Sequence, residues 1–232
     1  MKTRLFIVLT VIVMAIALTA AVSAQDGFTF EVTDGFTFAE ESDIAKIEIS
    51  VPRVSGMADE NEEIQLNAHF LAVKDEILAE YERDTEMAKA NYPDGDSPHF
   101  EYKYSWDIIT DNDDHFVIWT MYFFAAGSAG EKNEFFTLDK KTGKLLDFDE
   151  DAVTSLEEIA KVREQIHTSM SNANAAGRAD FRIEGDALDV QLGQVRYLNH
   201  WYFNKDGKLV ICFDAAEVAP ASMGTVYFVI ER

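Results

Sequence analysis

Two segments of the chain carry apolar residues at the spacing of an α-helix. In the first, the apolar side chains step by four, three, four and four along one face: Leu66, Phe70, Val73, Ile77 and Tyr81. Asp59, followed three residues later by Glu62, is typical of a helix N-terminus, because both side chains can accept from free backbone amides. The pattern therefore predicts an amphipathic helix that begins after Asp59.

The second helical segment covers residues 152–170. Its apolar stripe consists of Leu156, Ile159, Val162, Ile166 and Met170. Residues 172–177, rich in asparagine and closed by a glycine, are expected to end this helix. His167 lies beside the second stripe and His69 beside the first, and we expect both rings to have structural roles.

The rest of the chain shows the alternation and the turn residues that are typical of β-structure. Strands are predicted at residues 44–51, 100–109, 115–125 and 134–138. Pro52 is expected to end the first strand. The two prolines and the glycine of residues 91–98 predict a loop. Asn204-Lys-Asp-Gly207, between two apolar runs, predicts a β-hairpin with its glycine at positive φ.

The order of these elements defines the expected fold class. A strand, a helix, several strands, a second helix and a final hairpin follow one another along the chain. This order predicts an α+β fold with a mostly antiparallel sheet and two main helices packed on one face.

The N-terminus has the pattern of a secretory signal. Lys2 and Arg4 precede an apolar run over residues 5–22, and Val22-Ser-Ala24 fits the small-residue rule for cleavage. Residues 1–24 are therefore predicted to be a signal peptide. The alternative is an uncleaved N-terminal anchor, since the run approaches the length of a membrane span. Either reading places the remaining chain outside the cytoplasmic membrane.

Residues 25–43 form a predicted N-terminal arm. The sequence Asp-Gly-Phe-Thr-Phe occurs twice in it, at residues 26–30 and 34–38. Two copies are too few for a repeat architecture. We expect an arm that folds against the domain as an edge strand or hairpin, and an adhesive, self-pairing tail is the alternative.

The charge of the chain limits its partners. It carries 20 basic and 42 acidic residues and a net charge of −22. Such a charge argues against nucleic acid, whose phosphates would be repelled. It would attract a basic protein, and it would equally serve solubility outside the cell.

The sequence offers no recognised catalytic or metal-binding constellation. No two of its five histidines are four residues apart, so a zinc hydrolase motif is absent. The segment 127–130 is one residue short of a nucleophile elbow and joins two predicted strands. Cys212 lies in an apolar strand and is expected to be a buried small hydrophobe. We therefore predict no cofactor and no enzyme activity.

Two acidic clusters, residues 111–114 and 147–151, could present several oxygens to calcium. Neither has the spacing of a known calcium loop. The preferred interpretation is a turn for the first cluster and a helix N-terminus for the second, where carboxylates meet the positive end of the helix dipole.

Three stretches carry a resemblance to a known family. They are the hairpin of residues 201–213 with the following Glu217-Val-Ala-Pro220 and Gly224, the strand and Thr-Gly-Lys turn of residues 134–147, and the segment 44–56. Together they resemble a two-part bacterial extracytoplasmic domain of unknown function, best known from lysozyme-sensing anti-sigma factors and as the accessory domain of a peptidoglycan deacetylase. The resemblance implies two halves, residues 44–138 and 139–232.

The sequence departs from the family pattern at three positions. Ala129 stands where the family usually has a histidine, so a binding role carried over from that histidine lapses. Ala216 and Ala221 stand where the family tends to have tyrosines, which alters any groove lined by those rings. Only Met1 to Arg4 precede the apolar run, and we therefore expect no direct inhibition of a sigma factor.

The resemblance and the charge together imply an envelope-associated, non-enzymatic binding domain. Its ligand is expected to be a basic muramidase or a cell-wall glycan. The candidate binding residues are Gly127, Ser128, Gly130, Trp201 and Glu217. A glycan would stack on exposed rings such as Trp106, Trp119 or Trp201. The alternative function is an envelope hydrolase or deacetylase with an unrecognised site.

Overall fold

The computed structural model describes residues 27–92, 99–182 and 187–231. The strands are Glu31–Glu41 (β1), Ala45–Ser55 (β2), Phe100–Asp111 (β3), His115–Ala125 (β4), Ala129–Asp139 (β5), Trp201–Phe203 (β6), Leu209–Phe213 (β7) and Val226–Val229 (β8). The α-helices are Glu60–Asn91 (α1), Leu156–Ala175 (α2) and Ala187–Gln194 (α3). The predicted signal peptide, residues 1–24, and most of the loop predicted at 91–98 lie outside the described residues. None of the helices in the described ranges is long and apolar enough to cross a membrane.

The α+β class, with mostly antiparallel strands and two main helices, is confirmed. The strands form a five-stranded sheet in the order β1-β2-β3-β4-β5 and a three-stranded sheet in the order β6-β7-β8. All neighbouring strands are antiparallel except β2 and β3, which are parallel and are connected through α1. A parallel pair needs such a long crossover, and here the crossover helix covers the sheet.

Helix α1 forms for the reasons that the sequence suggested. The Asp59 side chain caps it by accepting hydrogen bonds from the amides of Asn61 and Glu62. Leu66, Phe70, Ile77 and Tyr81 of the predicted stripe are buried against the five-stranded sheet. Val73 is only partly buried. The helix continues to Asn91, because Thr85 and Ala88 extend the buried face beyond the predicted stripe.

The described part of the N-terminal arm folds against the domain. The second copy of the repeated motif lies in β1, which pairs along its length with β2 and forms the edge of the first sheet. From the first copy, the Phe28 amide donates to the Lys140 carbonyl, and the Phe30 ring packs against Phe116. The arm is therefore part of the core rather than a detached tail.

Pro52 does not end the first predicted strand, because β2 continues to Ser55. The pairing of β2 with β3 stops at Ile49, before the proline. On the other side, the pairing with β1 shifts register between Asp34 and Phe36, opposite Pro52. A proline is tolerated at such an irregularity, because the missing amide interrupts no regular ladder.

The second main helix begins later than predicted, at Leu156 instead of Ala152. Ser155 caps it by accepting from the Glu158 amide. Residues Phe148–Ala152 form a separate π-helical turn, capped by the Asp147 side chain. Leu156 is 87% exposed and does not belong to the buried stripe, whereas Val162, Ile166 and Met170 do. The apolar periodicity ran through two elements that local capping separates.

The turns predicted from glycines are confirmed. Gly207 has φ +72° between β6 and β7, and the Asn204 side chain accepts from the amides of Asp206 and Lys208. Gly143 has φ +72° in the turn after β5. Strand β5 starts at Ala129, five residues before the predicted start at 134, because it pairs with β4 up to the hairpin turn.

The two sheets pack on each other, and each has its own helix on its outer face, so the two main helices do not share one face of a single sheet as predicted. Leu209, Ile211 and Phe213 of β7 lie in one core with α2, while Cys212 faces Val117 and Phe135 of the first sheet. Strand β7 is buried on both faces, which explains its unbroken apolar sequence. Cys212 is buried, as predicted.

Candidate functional site

The predicted binding residues of the first sheet lie in its last hairpin. Gly127 and Ser128 form the turn between β4 and β5, with φ +76° at the glycine, and the Ala126 amide donates to the Ser128 carbonyl. Gly130 follows in β5. Both glycines are exposed, and a Cβ added at either would meet nothing within 4 Å.

The expectation that Trp201 offers an exposed ring is wrong. Trp201 is 3% exposed and packs against Phe148 and Phe203 in the core beneath α2. Trp106 and Trp119 are half-buried and use their indole nitrogens within the fold. Trp106 donates to Asp34 and Ser50, and Trp119 donates to Asn133. None of the three rings is fully exposed, and Trp201 lines a second cavity of about 400 Å³.

Glu217, the remaining predicted binding residue, lies after β7 in a set of buried polar groups. Its Oε2 accepts a 2.7 Å hydrogen bond from the Asp214 amide and lies 3.6 Å from Nδ1 of His200. His200 is 4% exposed, and its Nε2 lies 3.4 Å from Asp214 Oδ2. Burial raises the pKa of Glu217, and the nearby His200 ring opposes this.

Glu217, His200 and Asp214 form one wall of a cavity of about 410 Å³ at the junction of the two sheets. The opposite wall is α1. The floor comes from β3 and β4, and the edge strand β5 lies between the walls. The lining residues are His69, Ala72, Val73, Glu76, Ile77, Glu80, Tyr104, Thr120, Tyr122, Lys132, Asn133, Glu134, Leu198, His200, Asp214 and Glu217. Gly127, Ser128, Gly130 and Trp201 are not among them. The fold thus brings Glu217 into the cavity and leaves the other four predicted residues outside it.

The cavity is predominantly acidic. Five carboxylates line it, against one lysine, Lys132, and two histidines. His69 Nε2 lies 3.2 Å from Glu134 Oε2 and links α1 to β5. The Tyr122 hydroxyl donates a 2.7 Å hydrogen bond to Glu80.

The floor of the cavity contains two buried hydroxyl groups. Tyr104 and Thr120 are 2% and 1% exposed, and both line the cavity. The two hydroxyl groups interact with each other, and neither has a further hydrogen-bond partner among the residues that the structure describes. Burial raises the pKa of Tyr104, and its interaction with Thr120 opposes this. Buried polar groups with so few partners are uncommon, because burial costs them their hydrogen bonds to water.

Asn133 fixes the junction at the side of the cavity. It is fully buried, its Oδ1 accepts from the Trp119 indole at 2.7 Å, and its Nδ2 donates to Asp214 Oδ1 at 2.7 Å. The Asn133 amide donates to the other oxygen of the same carboxylate at 3.1 Å. This one side chain therefore ties β4, β5 and the end of β7 together.

The cavity brings together five carboxylates, two histidines, one lysine and three hydroxyl groups, and its lining contains no serine or cysteine. Within the described ranges no group of three or more His, Cys, Asp or Glu residues is arranged to hold a metal ion.

The two acidic clusters have structural roles in turns. In residues 111–114, the Asn112 side chain accepts from the amides of Asp114 and His115, which closes the turn between β3 and β4 as predicted. The second cluster lies at a helix N-terminus, as expected, although this helix is the separate π-helical turn of residues 148–152 and not α2. Its Asp147 caps the π-helical turn, and Asp149 forms an ion pair with Arg196.

The sequence interpretation missed most of the cavity residues, although α1 carried a signal for them. His69, Glu76 and Glu80 recur at helical spacing beside the apolar stripe, which places them along one edge of the buried face. The expected structural role of His69 agrees with its packing against Phe70 and Phe136. His200 and Asp214 gave no comparable signal, because the chain alone does not show which sheet edge they meet.

The ion pair of His69 with Glu134 predicts a pH dependence of stability. The hydrogen bond to Glu134 raises the pKa of His69, and partial burial opposes this. A base with a raised pKa stabilises the fold fully below its unfolded pKa of about 6.5, and this contribution is lost as pH rises through the folded pKa. The His69 side chain is 39% exposed, so water screens the pair and the contribution is expected to stay below about 1 kcal/mol.

The measurement is an NMR titration of His69 together with urea unfolding of the wild type and Glu134→Gln at acidic and at alkaline pH. The pKa should lie above the ordinary value and should fall in the variant. The stability difference between the two proteins should shrink as the pH rises. A His69 pKa that Glu134→Gln leaves unchanged would show that the pair does not form.

Comparison with known proteins confirms the resemblance to the domain of unknown function found in anti-sigma factors, while the likeness to a deacetylase accessory domain stays a prediction. Residues 145–232 match the family described as Protein of unknown function (DUF3298). The Anti-sigma-V factor RsiV of Bacillus subtilis (strain 168) is 24% identical over 198 residues, which cover 82% of this chain. The chain spans 64% of the length of that relative.

Two solved structures have similar chains. One is a member of the DUF3298 family from Bacteroides fragilis NCTC 9343, with a TM-score of 0.53 at 13% identity, covering 89% of this chain and 92% of that one. The other is a DUF3298 family protein from Pseudomonas aeruginosa PAO1, with a TM-score of 0.47 at 15% identity over 88% and 90% of the two chains. The first of these likenesses supports the fold.

Proposed function

We propose that this protein is a non-enzymatic binding domain that works outside the cytoplasmic membrane and captures a basic protein of the muramidase type. The observation that carries the proposal is the acidic cavity at the junction of the two sheets, in a chain with a net charge of −22. The similarity to an anti-sigma factor is consistent with a role in recognition. Residues 1–24 would direct its export.

The electrostatics favour a basic partner. A surface of one sign raises the rate at which an oppositely charged protein is encountered, and a concave acidic site concentrates that field. The two proposed halves, residues 44–138 and 139–232, both contribute carboxylates to the cavity, for example Glu134 and Asp214. Binding there would therefore engage both halves at once.

The buried position of Trp201 weakens the alternative of a glycan ligand, because stacking on sugars needs an exposed ring. The alternative of an envelope hydrolase or deacetylase would need a metal, a nucleophile or a pair of carboxylates that act as acid and base. The described residues present no cluster for a metal, but carboxylates do line the cavity, so cleavage of peptidoglycan fragments is the measurement that separates this alternative from binding.

The test is calorimetry of the mature protein with a cationic muramidase and, in parallel, with soluble peptidoglycan fragments. We expect the muramidase to bind at about 0.01 M salt, where charges act over about 30 Å, and binding to weaken strongly by about 1 M, where they act over about 3 Å. A muramidase with acetylated lysines is the control for charge and should bind more weakly. Cleavage of the fragments would contradict the non-enzymatic proposal, and salt-insensitive binding of the glycan alone would contradict the choice of partner.

A further inference from the structure

We propose that the cavity between α1 and the two sheets is a receptor for one guanidinium group, held by its carboxylates and by the hydroxyls of Tyr104 and Thr120. The inference rests on the proposed function in one respect, namely that the basic partner is one source of this group. A free guanidinium compound is the other source.

The hydroxyls of the floor indicate a polar ligand. Tyr104 and Thr120 belong to neighbouring strands and face the same side of the sheet, toward α1. Apart from each other the two buried hydroxyls have no partner, so their oxygens keep free acceptor sites that a ligand with several N–H groups would fill. A guanidinium has five such donors, and each hydroxyl oxygen can accept one.

The walls indicate that the ligand is a cation. Glu76 and Glu80 come from α1, Glu134 from β5, and Asp214 and Glu217 from the segment after β7. Their partners within the protein use only part of their accepting capacity, because a carboxylate has about four lone-pair sites. Glu80 accepts from one tyrosine and Glu134 lies beside one histidine. Spare acceptors on opposite walls are suited to a donor with several N–H groups.

The remaining lining favours a guanidinium over an ammonium. Ala72, Val73, Ile77 and Leu198 give the cavity an apolar side that would pack against an aliphatic stem. A guanidinium is less strongly hydrated than an ammonium, so it loses less on entering a partly apolar cavity. Its flat fork also pairs with a carboxylate through two parallel hydrogen bonds, which an ammonium cannot do. The cavity volume of about 410 Å³ is ample for one arginine side chain.

The direct test uses small probes and the complete mature protein. N-acetyl-arginine amide is titrated while the NMR signals of the cavity residues are followed. N-acetyl-lysine amide is the second cation, and N-acetyl-citrulline amide is the uncharged molecule of nearly the same shape. The arginine probe is expected to shift the signals of Tyr104, Thr120 and Glu134, to bind about threefold or more tightly than the lysine probe, and to outbind the citrulline probe by at least about tenfold. Equal affinities of the arginine and citrulline probes would overturn the proposal.

Three variants locate the site. Glu134→Gln should weaken binding of the arginine probe about tenfold, and Glu82→Gln is the matched control with the same charge change at an exposed position of α1 outside the cavity. Tyr104→Phe should weaken binding about threefold while the thermal midpoint changes little, because the lost hydroxyl interacts only with Thr120 among the described residues. A Tyr104→Phe variant that binds the probe as well as the wild type, or a Glu82→Gln variant as impaired as Glu134→Gln, would contradict the assignment.

A competition experiment distinguishes the two sources of the guanidinium group, the basic partner protein and a free guanidinium compound. If the basic partner inserts an arginine, the arginine probe should displace a cationic muramidase and Glu134→Gln should weaken that complex. Muramidase binding that neither the probe nor the variant affects would overturn this cavity assignment and leave the proposed function standing. Binding of the arginine probe without binding of the muramidase would support the cavity assignment and contradict the proposed function. If neither ligand binds, both proposals are wrong.

Discussion

Replacing Asn133 by alanine is expected to lower the free energy of unfolding by about 3 kcal/mol or more. The side chain is fully buried, and it both accepts from Trp119 and donates to Asp214. Removing the Asn133 side chain leaves the Trp119 indole N–H without its acceptor. It also leaves the Asp214 carboxylate, which is 7% exposed, with fewer donors. Removing one partner of a buried charged group costs more than the net value of the bond, because water cannot replace the missing donor.

Urea unfolding of Asn133→Ala would measure this loss. Asn172→Ala is the control, because Asn172 is exposed on α2 and the same change there should alter stability by less than about 0.5 kcal/mol. The Trp119 indole signal should also move in the NMR spectrum of the Asn133 variant. A loss as small as that of the control would show that other contacts hold the two sheets together.

Replacing Gly56 by alanine should also cost about 3 kcal/mol or more, by a different mechanism. Gly56 has φ +96°, and an added Cβ would lie 2.4 Å from the backbone oxygen of Thr29. The Thr29 backbone cannot rotate away from the added Cβ as a side chain could, so the arm that leads into β1 would have to move. That arm includes Phe30, which is buried against Phe116.

The matched control is Gly207→Ala. Gly207 has φ +72° and nothing within 4 Å of the added Cβ, so it isolates the strain of the backbone from the clash. This control should cost roughly 1 kcal/mol, the usual value for a non-glycine residue at positive φ. Thermal or urea unfolding of both variants gives the comparison. Equal losses of stability in the two variants would show that the arm moves away from the added Cβ without destabilising the fold.

Helix α1 and the turns could be predicted because their causes are local. An apolar residue every three or four positions specifies one buried face whatever that face packs against. Asp59 caps the helix through amides two and three residues away, and Gly207 closes its hairpin through its own φ. In each case the interaction spans a few residues, so it can be recognised in the sequence.

Two element boundaries were predicted at the wrong residues, one because of tertiary strand pairing and one because of helix capping. Pro52 continues a strand because β3 ends its pairing before it and β1 shifts register opposite it. The helix predicted from residue 152 begins only after Ser155. Asp147 caps the preceding π-helical turn and Ser155 caps α2, so the apolar periodicity runs through two separate elements. Partner strands and competing caps are not encoded in the spacing of apolar residues.

The sequence by itself determined the fold class, the acidic character and the resemblance to a family, because composition and short-range patterns are sufficient for these. Only the tertiary structure decided that Trp201 is buried, that the strands divide into two packed sheets, and that His69 meets Glu134 while Asn133 meets Asp214. The paired residues are 65 and 81 positions apart in the chain. Their proximity follows from how the edge strand β5 docks between α1 and the second sheet, and no local pattern specifies that docking.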